Sequence, residues 1–151
     1  MKKLLSILLA SLLLLSLAAC SSGGKKETRT IETEDFGITY RMTFDATDDI
    51  VTKITQTTTV DPDLLSDEVV AILLESCEAM KEEYDAIAGV EYSYEGSTES
   101  FVETIVIDCT NSKTLQTLND LGYLPIEGDA KALSLSASIE GMVDSGWVEV
   151  K

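Results

Sequence analysis

Residues 66–89 read SDEVVAILLESCEAMKEEYDAIAG. Their apolar side chains recur at steps of three and four, the spacing of one face of an α-helix. The positions that follow this spacing are Val69, Leu73, Cys77, Met80, Tyr84 and Ile87. Ser66 is a favourable N-cap, and Gly89 suits the position just beyond the helix end. A long amphipathic helix must bury its apolar stripe, so we expect a sheet beneath it.

Segments with strand character lie on both sides of this helix. Alternating or β-branched residues predict strands at 29–34, 38–45, 50–60, 90–95, 101–109 and 147–150. Two short amphipathic patterns, built on Leu115, Leu118 and Leu121 and on Leu135, Ile139, Met142 and Val143, predict helices near the C-terminus. The predicted fold is therefore α+β: a mostly antiparallel sheet of five to six strands, one long helix on one face and two short C-terminal helices.

The N-terminus has the organisation of an export signal. Lys2 and Lys3 precede a leucine-rich, uncharged stretch over residues 4–19, which ends in small residues before a cysteine. The last four residues, Leu17, Ala18, Ala19 and Cys20, match the lipobox of bacterial lipoproteins. Sixteen helical residues reach about 24 Å, less than the ~30 Å hydrocarbon core of a bilayer. A signal that is cut is therefore favoured over an uncut membrane anchor.

This interpretation divides the chain into three parts. Residues 1–19 are a signal peptide that is removed, residues 20–29 carry the lipidated Cys20 and a flexible tether, and residues 30–151 form one α+β domain. The lipoprotein-processing machinery adds a diacylglyceryl group to the Cys20 thiol and cleaves before it. The expected location is the extracytoplasmic face of the cell membrane, because two acyl chains anchor a protein stably.

Charge is distributed unevenly along the chain. The whole sequence has a net charge of −16, but residues 20–29 carry +2 and residues 30–151 carry −20. Nucleic-acid binding is disfavoured, since the acidic body cannot neutralise a row of phosphates. The acidity is explained by solubility or by binding of a cation or a basic partner.

Two cysteines remain once Cys20 is lipidated. Cys77 falls on the helix stripe, and Cys109 shares a strand face with Ile105 and Ile107. A bridge between them would close a loop of about 30 residues and stabilise the fold by roughly 3–4 kcal/mol. The alternative is two free thiols that are buried as small apolar groups.

Several short segments resemble a known bacterial family. They are Lys81 and Tyr84 leading into Ala88, Gly89 and Val90, the strand residues Ile105, Val106, Ile107 and Asp108, the pair Leu121 and Gly122, and the closing residues Gly146, Trp147, Val148, Glu149, Val150 and Lys151. Together with the lipobox, they resemble the YehR-like small lipoproteins, a functionally uncharacterised family. The resemblance implies a small α+β domain and a membrane-anchored location, and it carries over no catalytic residue.

The residue types restrict the chemistry of the protein. The chain contains no histidine, which removes histidine-based nucleophile pairs and histidine-ligated zinc. Neither a P-loop nor a GxGxxG motif occurs, and no cofactor, metal-ligand set or catalytic residue is assigned. The carboxylate pairs Asp48 with Asp49 and Asp61 with Asp63 suit turns and caps, although acid–base work or Ca²⁺ binding is the alternative.

Two further surfaces have alternative interpretations. Tyr92 and Tyr94 share a strand face, where they are either core residues or a stacking platform. The threonines of the first strands form either a solvated sheet face or an open docking surface. They are Thr39, Thr43, Thr55 and Thr57.

Two functional hypotheses follow from the sequence. The favoured one is a non-catalytic binding module at the membrane surface, whose partner is an envelope protein, a peptide or a cation. The other is a carboxylate-dependent hydrolase of the envelope, which rests only on the abundance of Asp and Glu.

Overall fold

The computed structural model describes residues 24–124 and 131–150, and its centre is a six-stranded sheet. The strands are β1 (Lys26–Asp35), β2 (Ile38–Thr47), β3 (Ile50–Val60), β4 (Val90–Gly96), β5 (Phe101–Asp108) and β6 (Val148–Val150). The helices are α1 (Asp67–Asp85), α2 (Ser112–Asp120) and α3 (Leu135–Asp144), and a 3₁₀ turn spans Pro62–Leu64. The α+β prediction is confirmed, with the long helix and the two short C-terminal helices as expected.

All neighbouring strands in the sheet are antiparallel. Their spatial order is β4-β5-β3-β2-β1-β6. The first three strands form a meander, and β5 returns beside β3 after the chain has passed through α1 and β4. The last strand, β6, pairs with β1 at the opposite edge from β4, so the first and last strands of the domain are neighbours.

The two faces of the sheet differ in composition because side chains alternate along each strand. One face is apolar and packs with all three helices in a single core. Its fully buried members include Ile31, Met42, Phe44, Val51 and Ile54 from the sheet and Leu115, Leu118 and Met142 from the helices. The other face is half-exposed and carries threonines and cross-strand ion pairs, such as Lys53 with Asp45 at 2.8 Å.

Several element boundaries differ from the sequence prediction. Strand β1 begins at Lys26, so residues 26–29, which were assigned to the tether, belong to the sheet. Helix α1 begins after its Ser66 cap as predicted but ends at Asp85, and Gly89, with φ +83°, lies three residues past the Ala86 C-cap. Ile87 therefore lies beyond the helix, where it is still buried.

Two predicted apolar positions are largely exposed. Leu121 is 55% exposed and Val143 is 45% exposed, although both continue the apolar patterns of their helices. Leu121 lies at the C-cap of α2, where the chain turns away from the helix, and the fully buried Leu124 fills the core instead. The stretch that follows contains Pro125 and Gly128, residue types that favour a loop, and it lies outside the described residues.

The sheet has two ends with different connections. The proximal end, where β1 begins, holds the β2–β3 turn at Asp48 and Asp49, the start of β4 and the end of β5. The distal end holds the β1–β2 turn at Phe36 and Gly37, the segment 61–66 and the β4–β5 loop. The ten residues of β1 separate the two ends by about 30 Å.

Asp49 connects the proximal turn to helix α3. Its carboxylate accepts hydrogen bonds from the Ser134 hydroxyl at 2.6 Å, the Ser136 amide at 2.8 Å and the Ser136 hydroxyl at 2.6 Å. It thus supplies acceptors at the N-terminus of α3, where backbone donors lack helical partners. Burial disfavours its ionised form, but these hydrogen bonds outweigh burial and lower the pKa of Asp49.

Asp49→Ala should lower the free energy of unfolding by about 1–2 kcal/mol at pH 7, the usual value of a lost cap. Since the pKa of Asp49 is lowered in the folded state, its contribution is complete above the unfolded pKa, near 3.9, and is lost as the pH falls through the folded pKa. Urea denaturation at pH 7 and at pH 3 should therefore show a smaller difference from wild type at the lower pH.

Asp48→Ala is the matched control for this experiment. Asp48 lies in the same turn with φ +50°, against +67° for Asp49, and accepts one backbone hydrogen bond from Lys25. Both substitutions place alanine in a left-handed conformation, but Asp48→Ala removes one hydrogen bond whereas Asp49→Ala removes three, so Asp49→Ala should be the more destabilising. Equal losses in the two variants would contradict the role of Asp49 as the cap of α3.

Candidate functional site

A polar cluster lies beneath α1, on the face of the sheet that also buries Gln56 and Thr58. Glu103 is only 4% exposed and Tyr92 only 5% exposed. The Tyr92 hydroxyl donates to Glu103 Oε1 at 2.6 Å and is also hydrogen-bonded with the buried Cys77 thiol. A carboxylate at this depth usually pairs with a cation, whereas the donor to Glu103 is a phenol. We call Cys77, Tyr92 and Glu103 the Glu103 cluster.

The sheet register brings the members of the Glu103 cluster together. Glu103 on β5 lies opposite Tyr94 on β4 and opposite the buried Thr58 on β3. Tyr92 lies opposite Ile105, two positions along the strand, so it reaches Glu103 diagonally. Helix α1 packs mainly against β4. It places Cys77 beside the Tyr92 hydroxyl.

Tyrosine rings extend this cluster across three parts of the chain. The rings of Tyr84 and Tyr92 stack with centroids 5.2 Å apart, and Tyr123 lies 5.2 Å from Tyr84 on its other side. Tyr94 is half-buried, 5.9 Å from Tyr92. Tyr92 and Tyr94 are thus packed core residues, not an exposed stacking platform.

The protonation of Cys77 and Tyr92 follows from their burial. Burial raises the pKa of the Cys77 thiol, against an opposing hydrogen bond with Tyr92. The pKa of Tyr92 is also raised, first by burial and then by its hydrogen bonds with Cys77 and Glu103. Both groups therefore keep their protons at neutral pH. Because a thiolate is the reactive form of cysteine, Cys77 has the character of a structural thiol.

Sequence reasoning missed Glu103, although a signal for it is present. Phe101, Ile105 and Ile107 occupy alternate positions of β5 and all are buried. Glu103 has the same parity and must share their face. Strand alternation alone therefore predicts that Glu103 faces the core. Because carboxylates usually lie at the surface, a reading of the sequence by residue type does not place it there.

The predicted carboxylate pairs serve local structure. Asp49 holds α3, and Asp48 accepts from the Lys25 amide at 2.8 Å. Asp61 is the N-cap of the 3₁₀ turn and accepts from the amide of Asp63 at 2.9 Å. Within the described part of the chain, no group of three or more acidic or sulfur ligands is placed to hold a metal ion.

Cys77 and Cys109 are both free and buried, and the structure does not join them. Cys77 faces Tyr92, while the Cys109 thiol donates to the carbonyl of Ile107 at 3.7 Å. Burial raises the pKa of Cys109 to about 12. The two thiols therefore occupy separate, unreactive positions in the core.

The threonine face is half-exposed and internally hydrogen-bonded. Thr39, Thr43, Thr55 and Thr57 all lie on the side of the sheet opposite the helices. The hydroxyls of Thr30 and Thr43 lie 3.0 Å apart, and Arg41 contacts Glu32 at 2.7 Å across the same face. The lipobox residues Leu17, Ala18, Ala19 and Cys20 lie outside the described residues.

A family model described as a protein of unknown function, DUF1307, matches residues 27–148. This match covers the whole sheet apart from its outermost residues, together with all three helices. The chain belongs to the DUF1307 family. The description of this family assigns no catalytic activity to its members. No curated protein matches the chain.

Two solved structures share the DUF1307 fold seen here. The NMR structure of the E. coli YehR protein is 24% identical, with a TM-score of 0.62, and covers 86% of this chain and 94% of its own. The NMR structure of a protein from Streptococcus pneumoniae TIGR4 is 17% identical, with a TM-score of 0.58, and covers 90% of this chain and 92% of its own. These likenesses support the YehR-like resemblance at the level of the fold.

A double-mutant cycle tests whether the Glu103 cluster stabilises the core. Tyr92→Phe should lower the free energy of unfolding by about 1.5–3 kcal/mol, because it leaves a buried carboxylate without its donor. Glu103→Leu should also destabilise, whereas the double variant should lose clearly less than the sum, giving a coupling of at least about 1 kcal/mol. Urea denaturation of the four proteins measures the coupling.

Tyr123 and Glu83 provide a control of the same chemistry at the surface. The Tyr123 hydroxyl donates to Glu83 Oε2 at 2.7 Å, but this pair is exposed. The cycle built from Tyr123→Phe and Glu83→Leu should give a coupling of only a few tenths of a kcal/mol, since water replaces the lost partner. Additive losses at Tyr92 and Glu103 would contradict the assigned role.

Proposed function

We propose that this protein is a lipoprotein of the cell membrane, anchored on the extracytoplasmic face through Cys20, that acts as a binding module and not as an enzyme. The observation that carries the proposal is the position of the lipobox. Only residues 21–25 separate Cys20 from the first residue of β1. Fully extended, this spacer reaches about 20 Å, so a lipid on Cys20 holds the proximal end of the sheet beside the bilayer.

The charge of the domain agrees with this orientation. Lys25 and Lys26 lie at or near the start of β1, where anionic headgroups would attract them, whereas Arg29 is paired with Glu149. The strongly acidic remainder favours the aqueous side. Among the described residues, no helix is both long enough and apolar enough to span a bilayer.

A binding role fits the chemistry of the side chains better than catalysis does. The candidate carboxylates are engaged as caps, since Asp49 holds α3 and Asp61 holds the 3₁₀ turn. The buried Cys77 keeps its proton. The partners in this proposal are the membrane, the lipoprotein-processing machinery and an envelope protein. Nucleic acid is not a partner, because residues 30–151 carry a net charge of −20.

Metabolic labelling of the full chain with a radioactive fatty acid tests the anchor. Wild-type protein should incorporate label, partition with membranes, and begin at Cys20 by mass spectrometry. Cys20→Ala should abolish incorporation, because the acceptor thiol is lost. Cys77→Ala is the matched control and should be labelled like wild type. An unprocessed, unlabelled wild-type chain in the cytosol would refute the anchor, as would labelling that survives in Cys20→Ala.

A further inference from the structure

The most exposed aromatic residue of the described chain is Phe36, at the tip of the β1–β2 hairpin. Its side chain is 90% exposed, so it packs against almost nothing in the fold. Phe36 and Gly37 are the two central residues of a two-residue turn, with φ of +50° and +75°. Both are in the left-handed region, as in a type I′ turn.

Phenylalanine is a poor choice for this position on two grounds. The first central residue of such a turn is typically Asn, Asp or Gly, because a left-handed conformation strains other side chains. Exposure of the aromatic ring to water is unfavourable in addition. Neither cost is offset by a contact within the folded domain, so the fold itself gives no reason for an aromatic ring here.

A second apolar side chain lies next to this turn. Leu64, in the 3₁₀ turn, is 48% exposed and packs over the backbone of Gly37. A Cβ atom at position 37 would come within 2.5 Å of Leu64 Cδ1, which shows how closely the two segments lie. The Asp61 amide also donates to the Gly37 carbonyl at 2.8 Å. Leu64 therefore lies against Gly37, the residue that follows Phe36, and the segment 61–64 is hydrogen-bonded to the turn that carries Phe36.

The distal end of the sheet is acidic, and Arg41, the cation of β2, is paired with Glu32. The distal segments 33–40, 58–70 and 94–101 carry eight carboxylates and no lysine or arginine. The carboxylates are Glu34, Asp35, Asp61, Asp63, Asp67, Glu68, Glu95 and Glu99. An apolar centre within a charged rim is the usual organisation of a protein–protein interface. An acidic rim selects a partner with a basic one.

We propose that Phe36 and Leu64 are the apolar anchors of a docking surface at the distal end, and that its occupant is a protein with an apolar pocket bordered by lysine and arginine. This inference rests on the proposed function, which places the distal end on the side away from the bilayer. A bilayer of anionic lipids is disfavoured as the occupant because the eight carboxylates would be repelled. The anchors insert into the pocket while the carboxylates pair with its rim.

Site-specific photocrosslinking in the native cells tests the surface. The photoreactive residue p-benzoylphenylalanine replaces Phe36 or Leu64 in the full, anchored chain, and separately replaces Leu121, Val148 or Thr57. Leu121 is an exposed apolar control at the C-cap of α2, Val148 is an exposed apolar residue on the edge strand β6 opposite Glu32, and Thr57 samples the threonine face. We expect positions 36 and 64 to crosslink to one and the same protein, and the control positions not to crosslink to it.

Affinity measurements with that purified partner form the second part of the test. Phe36→Asn should weaken binding by about 30-fold or more, the effect of removing an interface hot spot. Its melting temperature should equal or exceed that of wild type, because asparagine suits the type I′ turn. Leu121→Asn should leave the affinity unchanged. Raising the salt concentration should weaken binding of the wild type, since the rims carry opposite charges.

The outcomes separate this inference from the proposed function. A partner crosslinked only from Thr57 would overturn the distal surface and leave the binding module intact. Absence of a protein partner at every position would overturn both. Crosslinks from position 36 to lipid would show a membrane-facing tip and overturn the inference. A lower melting temperature for Phe36→Asn would assign Phe36 a role in the fold and remove its basis.

Discussion

Hydrophobic burial on a single face of the sheet governs this structure. The buried apolar side chains of β1 to β5 lie on one side, and all three helices pack on that side because only there can they bury their own stripes. Alternation along each strand then sends every second residue to the opposite face, where threonines and ion pairs meet water. The sheet therefore has two distinct ends, which lie about 30 Å apart along β1.

The loops at the two ends of the sheet differ in the contacts that their side chains make. At the proximal end, Asp48 and Asp49 hold the start of the domain and helix α3, so their carboxylates are used internally. At the distal end, Asp61 caps a single 3₁₀ turn, while Phe36 and Leu64 point apolar groups into water. Polar side chains therefore serve the fold at both ends, and the distal end in addition exposes the two apolar side chains Phe36 and Leu64.

Sequence patterns predicted the elements well where one physical signal dominates. The bounds of β3 and the Ser66 cap of α1 were predicted correctly, because β-branched alternation and capping act locally. The start of β1 was placed too late, since Lys26 is held in the strand by pairing with the distant Thr47. Exposure of Leu121 likewise depends on where the chain leaves α2, which helical periodicity does not specify.

The candidate sites were harder to predict than the fold. Alternation along β5 points Glu103 inward, but its phenol donor, Tyr92, comes from the neighbouring strand. Phe36 stands out because a left-handed backbone is combined with an almost fully exposed ring. Both facts depend on tertiary geometry. The lipobox, in contrast, is read directly from the order of Leu17, Ala18, Ala19 and Cys20, and it remains a prediction that the family match to residues 27–148 does not reach.

The central claim is that the stiff sheet, tethered at its proximal end, holds its distal end away from the bilayer. Spin-label relaxation on the lipidated protein in liposomes measures this directly, with a nitroxide at position 36 or 48 and a paramagnetic relaxant attached to the lipid headgroups. Both positions are turn residues of the same sheet, at opposite ends. We expect strong relaxation at position 48 and little at position 36. Relaxation at position 36 equal to or greater than that at position 48 would contradict it.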